Sequence, residues 1–467
     1  MAIFGGQTQA QWGRGDGFLD KKMVVNMHME ECSHHVSQSI ISRYYDESGA
    51  ALDWFVGASK NLYMAPESYA EIPADAQANY MFPYMYPMPE TYDYNKEDLP
   101  CYPTSVGFSS LATVMADNLQ AAVDAGAEVR YSTKGVELIL NDEGAVAGIY
   151  AQAAGSDGYI KINASKGTVV CTGGYARNED MLKALQPQTL NKYSLSIAID
   201  GTTGDGIKSC LWAGARMDEV HTAMVFDRVA VKPDEFGGAQ TTGSLFWMGS
   251  NPWLKVNLNG ERFANESGPY DYILNAALTQ PNHTVVDIWD SDYETYLEQF
   301  DIHGCARVYP FENGAPTNMT LETVKGINEG LLADGYIVKA DTIEELAKGL
   351  GLPVENLKKT VDRQNENYDN QVDPDFGKEA FRLSPVRKAP FYGVRTSGYM
   401  LCTLDGITIN ENFQAVNEEG EAIEGLYVTG VDSGSYYAHT YPNMSTGNCC
   451  GRSVTFARMI GKALAAK

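Results

Sequence analysis

The sequence predicts an α/β protein in which both ends of the chain form one discontinuous domain, interrupted by an inserted α+β cap. Three observations carry this. Short strand-like apolar runs alternate with helical periodicity up to about residue 217. Between Asp218 and Pro385 aromatics multiply and helical patterns dominate, and from Ala389 the strand-like texture resumes before a closing helical segment. The expected division is 1–217 with 386–467 for the outer domain, and 218–385 for the cap.

The elements follow in order. Phe108 to Ala125 has helical apolar spacing and stops at Gly126. Glu128–Tyr131, Val136–Leu140 and Val146–Tyr150 read as strands, the last two separated by the turn residues Asn141-Asp-Glu-Gly. Gly167–Thr172 is a buried-strand candidate that runs into Gly173-Gly174. A strand ending in paired glycines turns sharply or admits a ligand, and the carboxyl ends of strands are where α/β proteins bind ligands; a plain tight turn explains the pair equally. Gly201-Thr-Thr-Gly-Asp-Gly206 precedes an amphipathic segment, Ile207 to Ala215, and offers free N–H groups at a helix start. In the cap, Ser291–Phe300 and Thr342–Asn367 read as helices, and Asn365–Lys378 is polar, acidic and disorder-like. Gly406–Ile409 and Gly425–Gly430 read as strands, and Asn448 to Ala466 as the last helix.

Composition narrows the function. The 467 residues carry a formal net charge of −25, which repels phosphate backbones, so nucleic acid is not expected as a partner. No run of about 18 apolar residues occurs, so no membrane insertion is expected. The amino-terminal residues show no basic segment followed by an apolar one; as written the chain reads as cytoplasmic, and as exported if a lost amino-terminal segment carried a signal. Eight cysteines are scattered without the spacings of a disulfide framework, zinc, an iron–sulfur cluster or covalent haem, so electron transfer would need an organic cofactor.

Three places stand out chemically. Asn257 to Glu266 puts Arg262 and Glu266 close together across a turn; an ordinary surface ion pair would explain that too. Gly425 to Arg452 packs a strand, a glycine turn, Tyr436, Tyr437, His439, Tyr441 and a Gly447-led helix start into 28 residues, too dense in polar and aromatic groups for a core element alone. His28, Cys32, His34 and His35 superficially resemble a metal site, but no complete ligand set is visible, so they read as polar residues on a helix surface and no metal is assigned.

Taken in register, Gly5-Gly-Gln-Thr-Gln-Ala-Gln-Trp-Gly13, Cys171-Thr-Gly-Gly174, Thr203-Gly-Asp-Gly206, Gly260-Glu-Arg-Phe-Ala-Asn-Glu266 and Gly425-Leu-Tyr-Val-Thr-Gly430 resemble the fumarate reductase/succinate dehydrogenase type of flavoprotein, including urocanate reductases and ketosteroid dehydrogenases. The resemblance covers nearly the whole chain. It implies a three-layer, Rossmann-like FAD domain with an inserted cap. It places Gly6, Gln7, Thr8 and Gly13 along the FAD pyrophosphate, the backbone of Val136 on the adenosine part, and Asp205 in the acidic T-G-D-G element. Asp432 falls one place from the usual ribityl-binding Glu. Asn448, Cys449 and Cys450 match the G-N-A-L stretch whose helix N-terminus faces the isoalloxazine ring and favours a reduced, anionic flavin. The two cysteines would pack against the ring, with thiol redox chemistry as the alternative.

For catalysis, the resemblance makes Arg262 the arginine that delivers a proton opposite the flavin hydride, or at least stabilises charge on the substrate, with Glu266 following it. His439 fits the first position of a dicarboxylate-binding H-x-x-x-R signature, but Asn443 stands where the arginine belongs, and Leu401-Cys402 replaces a His-His pair. Two carboxylate-clamping groups are therefore missing, which disfavours fumarate. Thr440-Tyr-Pro442 instead resembles ketosteroid dehydrogenases, in which the Tyr hydrogen-bonds a carbonyl, and Tyr399, Tyr436, Tyr437 and Trp247 suit an aromatic or steroid-like substrate. The expected activity is hydride exchange between FAD and a carbon–carbon bond conjugated to a carbonyl, with a separate electron donor or acceptor. A ketosteroid-type dehydrogenase is an alternative. Relatives carry a strand–G-x-G-x-x-G–helix–strand–acid unit before the stretch matching Gly5-Gly6. Its lack here is expected to mean an amino-terminally truncated reading of a longer protein, or else a non-catalytic remnant that does not hold FAD.

Overall fold

The structure is a computed structural model describing residues 2–4, 21–64, 73, 75–76, 79–83, 105–108, 110–268, 271–300, 320–442 and 447–467. Its organising feature is a parallel pairing between the two ends of the chain. Strand Ala422–Val428 runs beside Thr168–Val170 in the register Leu426↔Thr168, Tyr427↔Val169 and Val428↔Val170. Thr429 N–H extends the ladder by donating to Val170 O at 3.0 Å. Both strands then enter glycine turns, Gly173-Gly174 on one and Gly430 on the other, all at positive φ. Helix Asp205–Trp212 starts beside the first turn and helix Asn448–Ala465 beside the second.

The closing helix buries Phe456 and Ile460 on one face. Phe456 meets Phe413 with ring centroids 4.5 Å apart, and Tyr44 of helix Gln38–Val56 edge-on at 6.3 Å. A second layer forms where strand Thr133–Leu140 pairs with Val146–Ala153 across the expected turn. Its register skips Val136, between the pairs Gly135↔Ala151 and Glu137↔Tyr150, which is a β-bulge.

The largest sheet has seven strands and centres on Phe391–Thr403. That strand pairs antiparallel with Ala223–Val231, Val285–Trp289 and Ile337–Ala340, and parallel with Tyr193–Ser196. The expected boundaries after 217 and before 386 thus both cut through one sheet, since Tyr193–Ser196 and Phe391–Thr403 lie among strands given to the cap. Every residue of the central strand is buried or half-buried, so it shows no in-out alternation that would mark the sheet to which it belongs.

Other expectations shift locally. Glu128–Tyr131 is not a strand; the chain stays irregular until Thr133. Phe108 ends a strand, and the helix begins at Leu111, where Ser110 Oγ accepts the Thr113 N–H. Thr342–Asn367 is two helices, Ile343–Leu350 and Val354–Asn370, because Gly351 takes a left-handed cap and Pro353 restarts the chain. Gly406–Ile409 makes only isolated bridges. Among the described residues no helix is long and apolar enough to cross a membrane.

Candidate flavin site

The paired strand ends build a tight backbone cradle. Asp432 is fully buried; Thr172 N–H donates to its Oδ2, and Gly174 N–H to its Oδ1 at 2.8 Å. Its oxygens therefore shape the Gly173-Gly174 turn from beneath, rather than facing outward as the resemblance suggested. A side chain at Gly174 would run into Thr403 Oγ1 and Val431, and one at Gly206 into Thr172 and Val170. Only backbone fits at these two points, so the turn and the helix start pack tightly on their own neighbours.

Asp205 opens its helix. Burial pushes its carboxyl up, but hydrogen bonds from Lys208, Lys134 and Thr203 outweigh that and hold it at about 2. The bulge at Val136 leaves that residue outside the ladder, and its carbonyl accepts a hydrogen bond from Ser209 Oγ at 3.3 Å. Asp205 therefore stands at the helix start, and Val136 lies against the second turn of the same helix. Gly6, Gln7, Thr8 and Gly13 lie outside the described residues.

At the second turn, Gly447 adopts φ +86 and exposes the N-terminus of the closing helix. Asn448 is fully buried: its Oδ1 accepts from Tyr437 Oη, while its Nδ2 has no partner among the described residues. An unfilled buried donor at a helix N-terminus suits the acceptor-rich pyrimidine edge of a flavin. Cys449, the next residue in the chain, is half-buried, as is Cys402. Cys450 turns away and packs with the cluster of Leu52, Phe55, Val106 and Phe108, so it lines no ring.

Tyr441 is 2% exposed, its ring 5.5 Å from that of Tyr437. Next to it, Thr440 Oγ1 donates to Asp271 Oδ1 at 2.7 Å, tying this loop to the buried start of helix Tyr272–Ala277. His439 points elsewhere: it is exposed at φ +66, with Nε2 3.2 Å from His35 Nδ1. Burial and the neighbouring His35 both push its pKa down. Asn443 lies outside the described residues.

Arg262 differs most from its expected role. Its Nε donates to Glu266 Oε1 at 2.8 Å, its Nη2 to Glu266 Oε2 at 2.7 Å and to Asp373 Oδ2 at 2.8 Å, and its Nη1 to Asp373 Oδ1 at 3.2 Å. The side chain is 5% exposed. Four of its five N–H donors hold two carboxylates, and Lys378 Nζ sits 3.5 Å from Glu266 Oε2. This is a closed, buried ion cluster, not a group presented to a substrate; nor is it the surface pair that the turn also allowed. The acidic stretch Asn365–Lys378 is correspondingly ordered, because Asp373 is needed as the second carboxylate.

Sequence reading missed other residues as well. His28 and Cys32 are buried, not on a helix surface. His28 Nε2 lies 2.8 Å from Tyr436 O, and burial pushes its pKa down to about 4. Arg452 is fully buried under Tyr436 and Tyr437, with its guanidinium carbon 5.1 and 4.6 Å from their ring centres. The only sign of it in the sequence was an arginine one turn into the closing helix.

Comparisons with known proteins give the family of the whole chain. A family model described as an FAD binding domain matches residues 29–447. Vinyl phenol reductase of Lactiplantibacillus plantarum is 30% identical over 355 residues, covering 75% of this chain and 70% of that protein. NADH:acrylate oxidoreductase of Vibrio harveyi is 31% identical over 340 residues, covering 71% of this chain but only 30% of its own length. Fumarate reductases and 3-oxosteroid dehydrogenases are further relatives, of which the chain spans a little over half. In fold, a 3-ketosteroid Δ1-dehydrogenase from Sterolibacterium denitrificans aligns with TM-score 0.69 at 18% identity, over all of this chain and 91% of that one. The protein is a flavin-dependent oxidoreductase acting on carbon–carbon bonds, with FAD as its cofactor. It belongs to the FAD binding domain family and resembles both its fumarate reductase and its ketosteroid dehydrogenase branches.

Proposed function

We propose that this chain exchanges a hydride with a carbon–carbon bond conjugated to a neutral carbonyl or phenol, preferentially in the reducing direction. The observation that carries the reading is Tyr441, a buried hydroxyl-bearing ring on a loop fastened to the cap through Thr440 and Asp271. Bound FAD would supply or accept the hydride. The residues placed to hold it are Gly173, Gly174 and Gly206 as close-approach backbone, Val136 and Asp205 at the helix start, and Asn448 with Cys449 at the closing helix. Tyr441 would keep its proton at Oη and donate a hydrogen bond to the substrate oxygen, drawing electron density from the conjugated bond. Tyr437 would support it by ring contact and, through Asn448, link substrate and flavin positions.

Arg262 and Glu266 would act at a distance, locking the cap rather than moving a proton, since with Lys378 and Asp373 they form a cluster of two cations and two carboxylates whose charges cancel. The relatives' names, a vinyl phenol reductase and an acrylate oxidoreductase, support an activated alkene and the reducing direction. The fold shared with a ketosteroid dehydrogenase and the Thr440-Tyr-Pro442 stretch favour the reverse reaction as the second reading. Electrons would come from a separate carrier.

The test is anaerobic mixing of the reduced, FAD-loaded protein with three acceptors: a cyclic enone, a 4-vinylphenol and fumarate. Rapid return of the oxidised flavin band with either of the first two, and not with fumarate, is expected. Reoxidation by fumarate alone would overturn the neutral-substrate reading.

A further inference from the structure

Arg262, closed into its ion cluster, leaves the proposed reduction without its expected proton source. A second set of titratable groups stands beside the site. His221 and Asp405 meet just past the end of the ladder that pairs Ala223 with Thr403, with His221 Nδ1 2.7 Å from Asp405 Oδ2. The carboxylate is fully buried and held from two further directions: Tyr175 Oη donates to Oδ2 at 2.7 Å, and Gln186 Nε2 to Oδ1 at 3.3 Å. Gln186 Nε2 also donates to Tyr175 Oη at 2.6 Å, so the groups that fix Asp405 are themselves fixed. The imidazole, by contrast, is 21% exposed. A carboxylate can only accept, so it places a proton on Nδ1 and leaves Nε2 as the nitrogen that gains and gives one.

His221 lies between the two halves of the site. On one side Thr222, the next residue, donates from Oγ1 to His439 O at 3.2 Å, two residues before Tyr441. On the other, Tyr175 directly follows the Gly173-Gly174 turn, and its N–H donates to Thr403 Oγ1 at 3.4 Å, the same oxygen that a side chain at Gly174 would meet.

We propose that His221, oriented by Asp405, is the acid that protonates the substrate carbon, an assignment that rests on the reading of this chain as a reductase of a carbon–carbon bond conjugated to a carbonyl. Hydride addition to one carbon of the double bond moves its electron pair onto the other carbon and the carbonyl oxygen, an enolate that Tyr441 holds. The His221 Nε2–H bond then breaks and its proton forms the second C–H bond. The imidazole is left neutral until it takes a proton from solvent at its exposed edge. Both electrons arrive with the hydride. The titratable groups around His221 favour its charged form: the Asp405 hydrogen bond raises its pKa, burial opposes this, and the charges of Asp405 and Asp218 add to the rise. Tyr175, pushed well up by burial, keeps its proton.

The test is stopped-flow reoxidation of the reduced, FAD-loaded protein by a cyclic enone between pH 6 and pH 9. Ferricyanide, which takes electrons without a proton to carbon, is the control acceptor. The wild-type enone rate is expected to fall about tenfold per pH unit above the His221 midpoint. His221→Gln can still donate to Asp405 but carries no titrating proton; it is expected to react with the enone about 100-fold more slowly near neutral pH and with a flat profile, at unchanged FAD content and ferricyanide rate. Asp405→Asn is expected to keep the fall but move its midpoint to lower pH, because the imidazolium has lost its carboxylate. A His221→Gln protein with the wild-type profile, or one equally slow with ferricyanide, overturns the proposal, as does an Asp405→Asn midpoint that is no lower. A wild type reoxidised by ferricyanide but by no enone overturns the reductase reading and this assignment with it.

Discussion

Asp373 Oδ2 lies 2.8 Å from Arg262 Nη2 although 111 residues separate the two, and both side chains are almost wholly buried. With Glu266, Asp373 gives Arg262 two carboxylates, while Lys378 adds a second cation. The cluster joins the turn at 257–266 to the segment after helix Val354–Asn370.

Replacing Arg262 with Ala should therefore destabilise the fold by about 3–5 kcal/mol, since two buried carboxylates lose their cation. Urea unfolding of the FAD-loaded protein measures this. A variant with unchanged stability but collapsed turnover would return Arg262 to the proton-delivery role.

Tyr441→Phe removes one hydroxyl and leaves the ring packing on Tyr437. Turnover of an enone should fall about 100-fold, the scale of one lost polarising donor, with FAD content unchanged. Comparison of kcat with KM for the two proteins checks it; a loss confined to KM would make Tyr441 a binding residue only.

Gly174→Ala and Gly430→Ala separate collision from backbone strain. Both glycines have positive φ, but an added methyl collides with Thr403 and Val431 only at Gly174, and meets nothing nearer than 3.8 Å at Gly430. The ratio of flavin to protein absorbance should drop several-fold for Gly174→Ala and much less for Gly430→Ala, with far-UV circular dichroism confirming that both fold.

Asp218 carries the pH dependence. Burial raises its carboxyl to about 7, the Ser435 backbone hydrogen bond opposing this and the nearby Asp405 charge adding to it. A folded-state pKa above the unfolded value of about 4 means that the protonated form is favoured in the native state. Asp218 thus contributes fully below about pH 4, and that contribution is lost as pH rises through about 7. Thermal unfolding of the wild type relative to Asp218→Asn should worsen between pH 5 and pH 8, by on the order of 3 kcal/mol. Parallel pH profiles for the two proteins would contradict this.

The outer architecture was legible because it rests on local pattern. The strands at 136–140, 146–150 and 425–428, the helix start at Asp205 and the closing helix at Asn448 follow from alternation, glycine turns and apolar stripes that any short window shows. The glycine turns at 173–174 and 430 were legible for the same reason, and the motif order around them resembled a flavoprotein family that the comparisons bear out.

What only the tertiary structure decided are the partnerships. Sequence alone presents Arg262-Phe-Ala-Asn-Glu266 as a turn with an ion pair, and Asn365–Lys378 as a solvated acidic stretch; folding joins them because a buried guanidinium needs both carboxylates. It likewise turns Asp432 inward onto two backbone N–H groups, buries His28, and puts Phe391–Thr403 at the centre of a sheet that crosses the expected domain boundary. Hydrophobic period and turn chemistry act over a few residues and survive in the one-dimensional text. Charge compensation and strand partnership act through space between residues a hundred or more positions apart, and no local pattern records them.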